Sequence, residues 1–194
     1  MVTTIVQNAL TLFDGAVFDT RVKVTCPACG GVLSGYDSRK RKFACVHDEK
    51  GDHVITVTVK RFFCKSCGTL CNADGPFYPH TRIGSPVIDL CVTFSRASGY
   101  GRAARNLAAM GICMDRMECR HYAMTPVRPV LYIQIFGFPM PHTITSLSSL
   151  AARFSEGSSI PGAEMLAACG FPSAYRALPD TPPLEKREDR DKEE

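Results

Sequence analysis

The chain has 194 residues, a formal charge of +4 and 45% hydrophobic residues, enough for a packed core in one ordinary domain or two small ones in series. No window approaches the roughly 18 apolar residues that cross a bilayer, and MVTTIVQNALTLFDG does not read as a signal peptide, so we expect a cytoplasmic protein. The charge is uneven: residues 1–125 hold 16 Lys/Arg against 10 Asp/Glu and residues 126–194 hold 7 against 9, so the N-terminal part is the one suited to polyanions.

Residues 1–21 read as an N-terminal arm holding a short helix or strand before a turn at Asp14-Gly15. From Val22 the pattern becomes β-like, and VKVTC runs into CPACGG at 26–31, where glycines supply the positive φ of a tight knuckle. Residues 34–53 are polar and basic and predict a long hairpin loop, after which HVITVTVKRFFC alternates as a half-buried strand entering CKSCG at 64–68.

Helical spacing follows the loop NADGPFYPHT. Val87, Leu90, Cys91 and Phe94 fall at i, i+3, i+4 and i+7, with Pro86 in the first turn. A break at Ser98-Gly99 precedes YGRAARNLAAMG, closed by Gly111. DRME then predicts a third helix with Asp115 as N-cap and Glu118 at N3, ending at Pro126. Beyond it we expect a buried strand over 130–137, helices over about 144–155 and 161–169, and a charged, disordered tail from 180 to 194.

Ten cysteines, six of them between Cys26 and Cys71, favour metal ligation over disulfides in a reducing compartment. Two CxxC pairs, Cys26/Cys29 and Cys64/Cys67, each followed by Gly, supply the four thiolates of a closed tetrahedral Zn2+ site. Four thiolates leave no open position, so the zinc is expected to be structural. Cys45 and His47 offer a second, incomplete ligand group, and Cys71 is a spare or a substitute for one of the four. Cys91, Cys113, Cys119 and Cys169 read as small core residues. His53, His80 and His142 show no ligand spacing and read as structural or surface residues.

The segment Tyr100–Met124 reads as helix, turn, helix with arginines on the second helix, a form suited to the DNA major groove. On that reading Arg116, Arg120 and His121 face the groove, while Arg102, Arg105, Arg39, Lys40, Arg41 and Lys42 hold phosphates.

CPACGG with its SRKR loop, VKRFFCKSCG, PFYPHTRIGSPVIDL and AARNLAAMGICMDRMECRHYA together resemble the N-terminal half of zinc-ribbon and helix-turn-helix proteins related to insertion-sequence transposases. Many of these are bacterial or archaeal. The likeness covers residues 22–125. It implies zinc on Cys26, Cys29, Cys64 and Cys67, a recognition helix from Asp115, and a prokaryotic, nucleoid-associated location. Only about 70 residues follow, with Glu156, Glu164 and Asp180 as sparse acids, too little for the catalytic domain of such transposases.

These readings combine into an α+β protein: a zinc ribbon over 22–80, a three-helix helix-turn-helix bundle over 81–125, an appendage over 126–179 and the tail. The expected function is binding of double-stranded DNA without catalysis, as a transposase-related accessory protein or a transcriptional regulator. Two alternatives stand beside it. One is a protein-interaction module docking a partner, or itself, through 126–179. The other is a truncated transposase or nuclease using Asp89, Glu156 or Glu164. A ribbon that binds RNA also remains open.

Overall fold

The computed structural model describes residues 2–135, 137–154 and 160–171. It is a mixed α+β fold, built on one long β-hairpin and, among the described residues, six helices. The hairpin strands are β2 (Leu33–Asp48) and β3 (Gly51–Cys64), joined by a two-residue turn after which Gly51 takes φ 109°. Two short strands line the other edge of β3. Strand β1 (Val17–Phe18) runs parallel to it at Thr58–Val59, and β4 (Leu70–Asn72) antiparallel at Arg61–Phe63.

The predicted polar loop over 34–53 is therefore mostly strand. Its polarity misled because the first half of β2 is exposed residue after residue, so it shows no alternation. The second half turns inward: Phe43, Ala44 and Val46 on β2 join Ile55, Val57 and Val59 on β3 in the core.

Helices α1 (Val2–Thr11), α2 (Ser85–Ser98), α3 (Tyr100–Ala109) and α4 (Arg116–Met124) contribute buried side chains to the same core. Helix α1 buries Val6, Ala9 and Leu10, and Phe13 just beyond it stacks on Phe43 at 4.1 Å between ring centroids. The first 21 residues thus contribute to the common core. Gly84 opens α2 because a Cβ there would come within 2.2 Å of the Phe43 ring. Helix α2 is buried along Ser85–Ser95 and packs against both α3 and α4. Enclosure of this kind widens its buried face beyond the single stripe of a surface helix.

Helix α4 begins as its sequence predicts. The Asp115 side chain accepts from the Glu118 N–H at 2.7 Å, and the Glu118 carboxylate accepts from the Asp115 N–H at 3.0 Å. Asp115→Ala is expected to cost about 1 kcal/mol in chemical denaturation, with the loss centred on the first turn of α4.

The C-terminal segment departs from expectation. The described residues of the apolar run over 130–137, predicted as a buried strand, belong to a surface hairpin. Strand β5 (Tyr132–Ile135) pairs with β6 (Phe138–Pro141), and Leu131, Tyr132, Ile133 and Phe138 are exposed. Helices α5 (His142–Arg153) and α6 (Gly162–Ala168) follow, with Gly170 at φ 70° after the second. Helix α5 packs on α1, and α6 on α5 and β1, so one cluster of buried side chains runs from Val6 to Cys169. The tail expected over 180–194 lies outside the described residues.

Candidate metal centre and basic surface

The hairpin end carrying Cys64 stands apart from that core. Among residues 21–37 and 61–72 the buried ones are Cys26, Cys64 and Cys71, and the buried core cluster contains none of the three. Val24 and Val32 are exposed beside them. This end has little apolar surface to hold it together.

What it has instead is four convergent sulfurs. The two CxxCG segments fold into the same knuckle. Cys26 N donates to Gly31 O and Gly30 N to Cys26 O; Cys64 N donates to Thr69 O and Gly68 N to Cys64 O, all at 2.8–2.9 Å. Gly30 and Gly68 take φ 72° and 74°, which a side chain would oppose. The knuckles meet closely, since a Cβ on Gly31 would fall 2.7 Å from Ser66 Oγ.

The sulfurs of Cys26, Cys29, Cys64 and Cys67 lie within 4.8 Å of one another, with Cys26–Cys67 at 3.6 Å and Cys29–Cys64 at 3.5 Å. A tetrahedron with metal–sulfur bonds of about 2.3 Å has sulfur–sulfur edges of roughly 3.8 Å, and a disulfide needs about 2.05 Å. The cysteines are free, and together the four could hold a metal ion.

Their titration shows the crowding. The hydroxyl and backbone N–H of Thr69 draw the Cys67 thiol down to about 6, and the Cys67 backbone N–H lowers Cys64. At Cys29 the Gly31 N–H pulls downward, but the neighbouring thiols of Cys67 and Cys64 outweigh it and push Cys29 up to about 12. Four thiolates at these distances need a cation between them. Cys71 is buried on β4 beside this group without joining it, and burial raises its thiol.

Cys45 and His47 lie at the opposite end of the hairpin. His47 Nδ1 meets Asp52 Oδ1 at 2.7 Å, and Cys113 Sγ lies 3.6 Å from the same oxygen. Cys113 is thus no core residue. It sits half-buried in the turn between α3 and α4, where burial first, then Cys45, push its thiol up to about 12. Cys91, Cys119 and Cys169 are fully buried, as expected of small core residues. Asp52 and Cys113 are the residues that sequence reasoning missed here.

The basic residues divide into two groups. Arg39, Lys40, Arg41 and Lys42 lie on β2, at the edge of the sheet, and line a cleft of about 920 Å³ with Phe77 and Arg82 among its other walls. Arg41 is committed within it: its guanidinium stacks 3.7 Å from the centroid of the Phe77 ring and donates to Thr81 O at 2.9 Å. Arg39, Lys40 and Lys42 are exposed. In the second group, Arg102 and Arg105 are exposed on α3, and Arg116, Arg120 and His121 on α4, where Cys119 and Tyr122 form the inward face. Arg116 reaches back over Gly101. Arg82 lines the cleft and meets Tyr122 of α4 through its backbone, so the groups approach each other there.

Among the described residues, the acids of the nuclease alternative sit on different helices. Asp89 is buried in α2, Glu164 pairs with Arg153 at the surface, and Glu156 lies outside the described residues. His53 lies 3.4 Å from Asp14 and His142 faces Ser146, while His80 stands at the cleft. Among the described residues no helix is long and apolar enough to cross a membrane. Compared with protein-family models, curated proteins and solved structures, the chain matches none.

Proposed function

We propose that this chain is a zinc-stabilised DNA-binding protein, a transposase-related accessory or regulatory factor without catalysis of its own. In this reading the cysteine end of the hairpin is a zinc ribbon, and α3 and α4 are a helix-turn-helix. The observation that carries it is α4 itself. It is a capped helix whose outward side presents Arg116, Arg120 and His121, with Arg102 and Arg105 on the preceding helix. Arginine donates two parallel hydrogen bonds to guanine, and exposed methionines such as Met117 and Met124 suit thymine methyl groups. The cleft along β2 adds Arg39, Lys40 and Lys42 as phosphate contacts.

Binding to duplex DNA should then weaken linearly in log–log form with salt, by a slope of about −0.9 per phosphate contacted. Arg116→Ala or Arg120→Ala should cost about 1–3 kcal/mol and relax sequence preference, whereas Lys42→Ala should reduce affinity evenly and flatten the salt slope. Fluorescence anisotropy on a duplex selected from random sequence measures both. Binding that ignores salt, or that survives the double α4 variant, would sink the proposal. A preference for single-stranded or duplex RNA would transfer it to that nucleic acid.

The exposed apolar hairpin β5–β6 favours a second reading, a platform for a protein partner or a second copy of the chain. Self-association in the absence of nucleic acid, abolished by Tyr132→Ser with Ile133→Ser, would support it.

A further inference from the structure

The tip of the long hairpin brings together a second set of ligating side chains from three separate stretches of chain. Cys45 on β2, Asp52 on β3 and Cys113 in the α3–α4 turn each place one ligand atom within 4.8 Å of the other two. The backbone holds them there. Cys113 N donates to Cys45 O at 2.9 Å and His47 N to Gly111 O at 2.7 Å, which locks the turn against the edge of β2. Gln7 of α1 donates to His47 O at 3.0 Å beside Gly111. Gly111, at φ 71°, is required by the same contact, since a Cβ there would lie 2.8 Å from that oxygen. The group is therefore built by the fold and not by chance proximity of long side chains.

We propose that Cys45, Asp52 and Cys113 form a second metal site for a thiophilic divalent ion of the Zn2+ class, with His47 orienting Asp52 and one coordination position open to solvent. Two thiolates select borderline and soft ions over Mg2+ or Ca2+. Three protein ligands leave a fourth place for water, unlike the closed set at the other end. His47 Nδ1 on Asp52 Oδ1 supplies the hydrogen bond that commonly fixes a ligating carboxylate from outside. Asp52 is exposed and both cysteines are partly so, which gives the ion a path in and out.

The two sites are independent. Asp52 and Cys64 lie on one strand, and at about 3.3 Å per residue they are separated by roughly 40 Å. An ion at the tip would tie the hairpin to the turn that leads into α4, and this holds whether or not α4 meets DNA.

The test is a Co2+ titration of the full-length protein under reducing conditions, read by absorbance and by bound-metal analysis. Wild type should bind two equivalents. Cys113→Ser and Cys45→Ser should each bind one and keep the intense charge-transfer bands of four thiolates. Cys64→Ser should retain the tip equivalent, with charge-transfer absorbance near half that of a four-thiolate ion. His47→Gln should keep two equivalents, the second weaker by roughly 10- to 100-fold. A single equivalent in wild type, two in Cys113→Ser, or a Cys45–Cys113 disulfide found under these conditions would overturn the proposal. Near-native circular dichroism of the Cys45→Ser and Cys113→Ser variants separates lost ligation from lost folding.

Discussion

Cys64→Ser is expected to remove one equivalent of bound metal and to melt one end of the molecule while the rest stays folded. Cys64 is fully buried and its sulfur faces Cys29 at 3.5 Å, so serine puts a hard, protonated oxygen where a thiolate closes the cluster. The segments around it bury no apolar side chain apart from Cys26 and Cys71. On the zinc-ribbon reading their stability comes from an ion, and structural zinc in small peptides supplies about 10–16 kcal/mol of apparent binding energy that is also folding energy. The core cluster from Val6 to Cys169 includes neither CxxC pair, so it should survive. Amide exchange at residues 26–32 and 65–70 should accelerate by orders of magnitude, while protection at Val57 and in α2 changes little. A chelator should reproduce the pattern in wild type, and acid should as well, because protons compete with metal for the thiolates. Full protection with the metal gone would show that the knuckles hold by their backbone hydrogen bonds alone.

The features that the sequence made legible are those whose physics is local. Two CxxCG repeats announce a four-sulfur cluster because each pair of ligands and its positive-φ glycine sit within five residues. Asp115 and Glu118 announce α4 because a capping box closes over three residues. Where the decisive neighbour is distant, the reading failed. Cys113 looked like a core residue because nothing near it in sequence is a ligand, and Cys45 and Asp52 reach it only once the hairpin folds onto the α3–α4 turn. The opening of β2 looked like loop because hydropathy reveals only strands with one buried face, and both faces there meet water. Residues 130–137 mislead in the opposite sense: the apolar run predicts a buried strand, and the chain displays Leu131, Tyr132 and Ile133 on the surface. The basic run from Arg39 to Lys42 is uniform in sequence, yet Phe77 and Thr81 claim Arg41 for the fold.

Asp89→Ala is expected to be strongly destabilising, at about 2–4 kcal/mol in chemical denaturation. Asp89 is 1% exposed and accepts from the Tyr78 hydroxyl at 2.6 Å and from Thr143 Oγ1 at 3.0 Å. Arg128 Nε donates to the Tyr78 hydroxyl at 3.1 Å, and its guanidinium also reaches the Cys169 and Gly170 carbonyls and lies over the Phe171 ring. One buried carboxylate thus anchors a chain of groups joining α2 to the segments before β5, in α5 and after α6. Its removal strands two buried hydroxyls and takes away the negative charge nearest Arg128. Asp89→Asn keeps the shape and one acceptor and should cost less. The two variants separate further with pH. Burial raises the Asp89 pKa, with the Tyr78 and Thr143 hydroxyls and Arg128 pulling the other way. A carboxyl group whose folded pKa lies above its unfolded value contributes stability at acid pH that is lost as pH rises through the folded value. The advantage of wild type over Asp89→Asn should therefore narrow from the ordinary carboxylate range upward, while the deficit of Asp89→Ala, set by unpaired hydroxyls, persists. If Asp89→Ala denatures like wild type, the tie between α2 and the C-terminal segments resides in apolar packing alone.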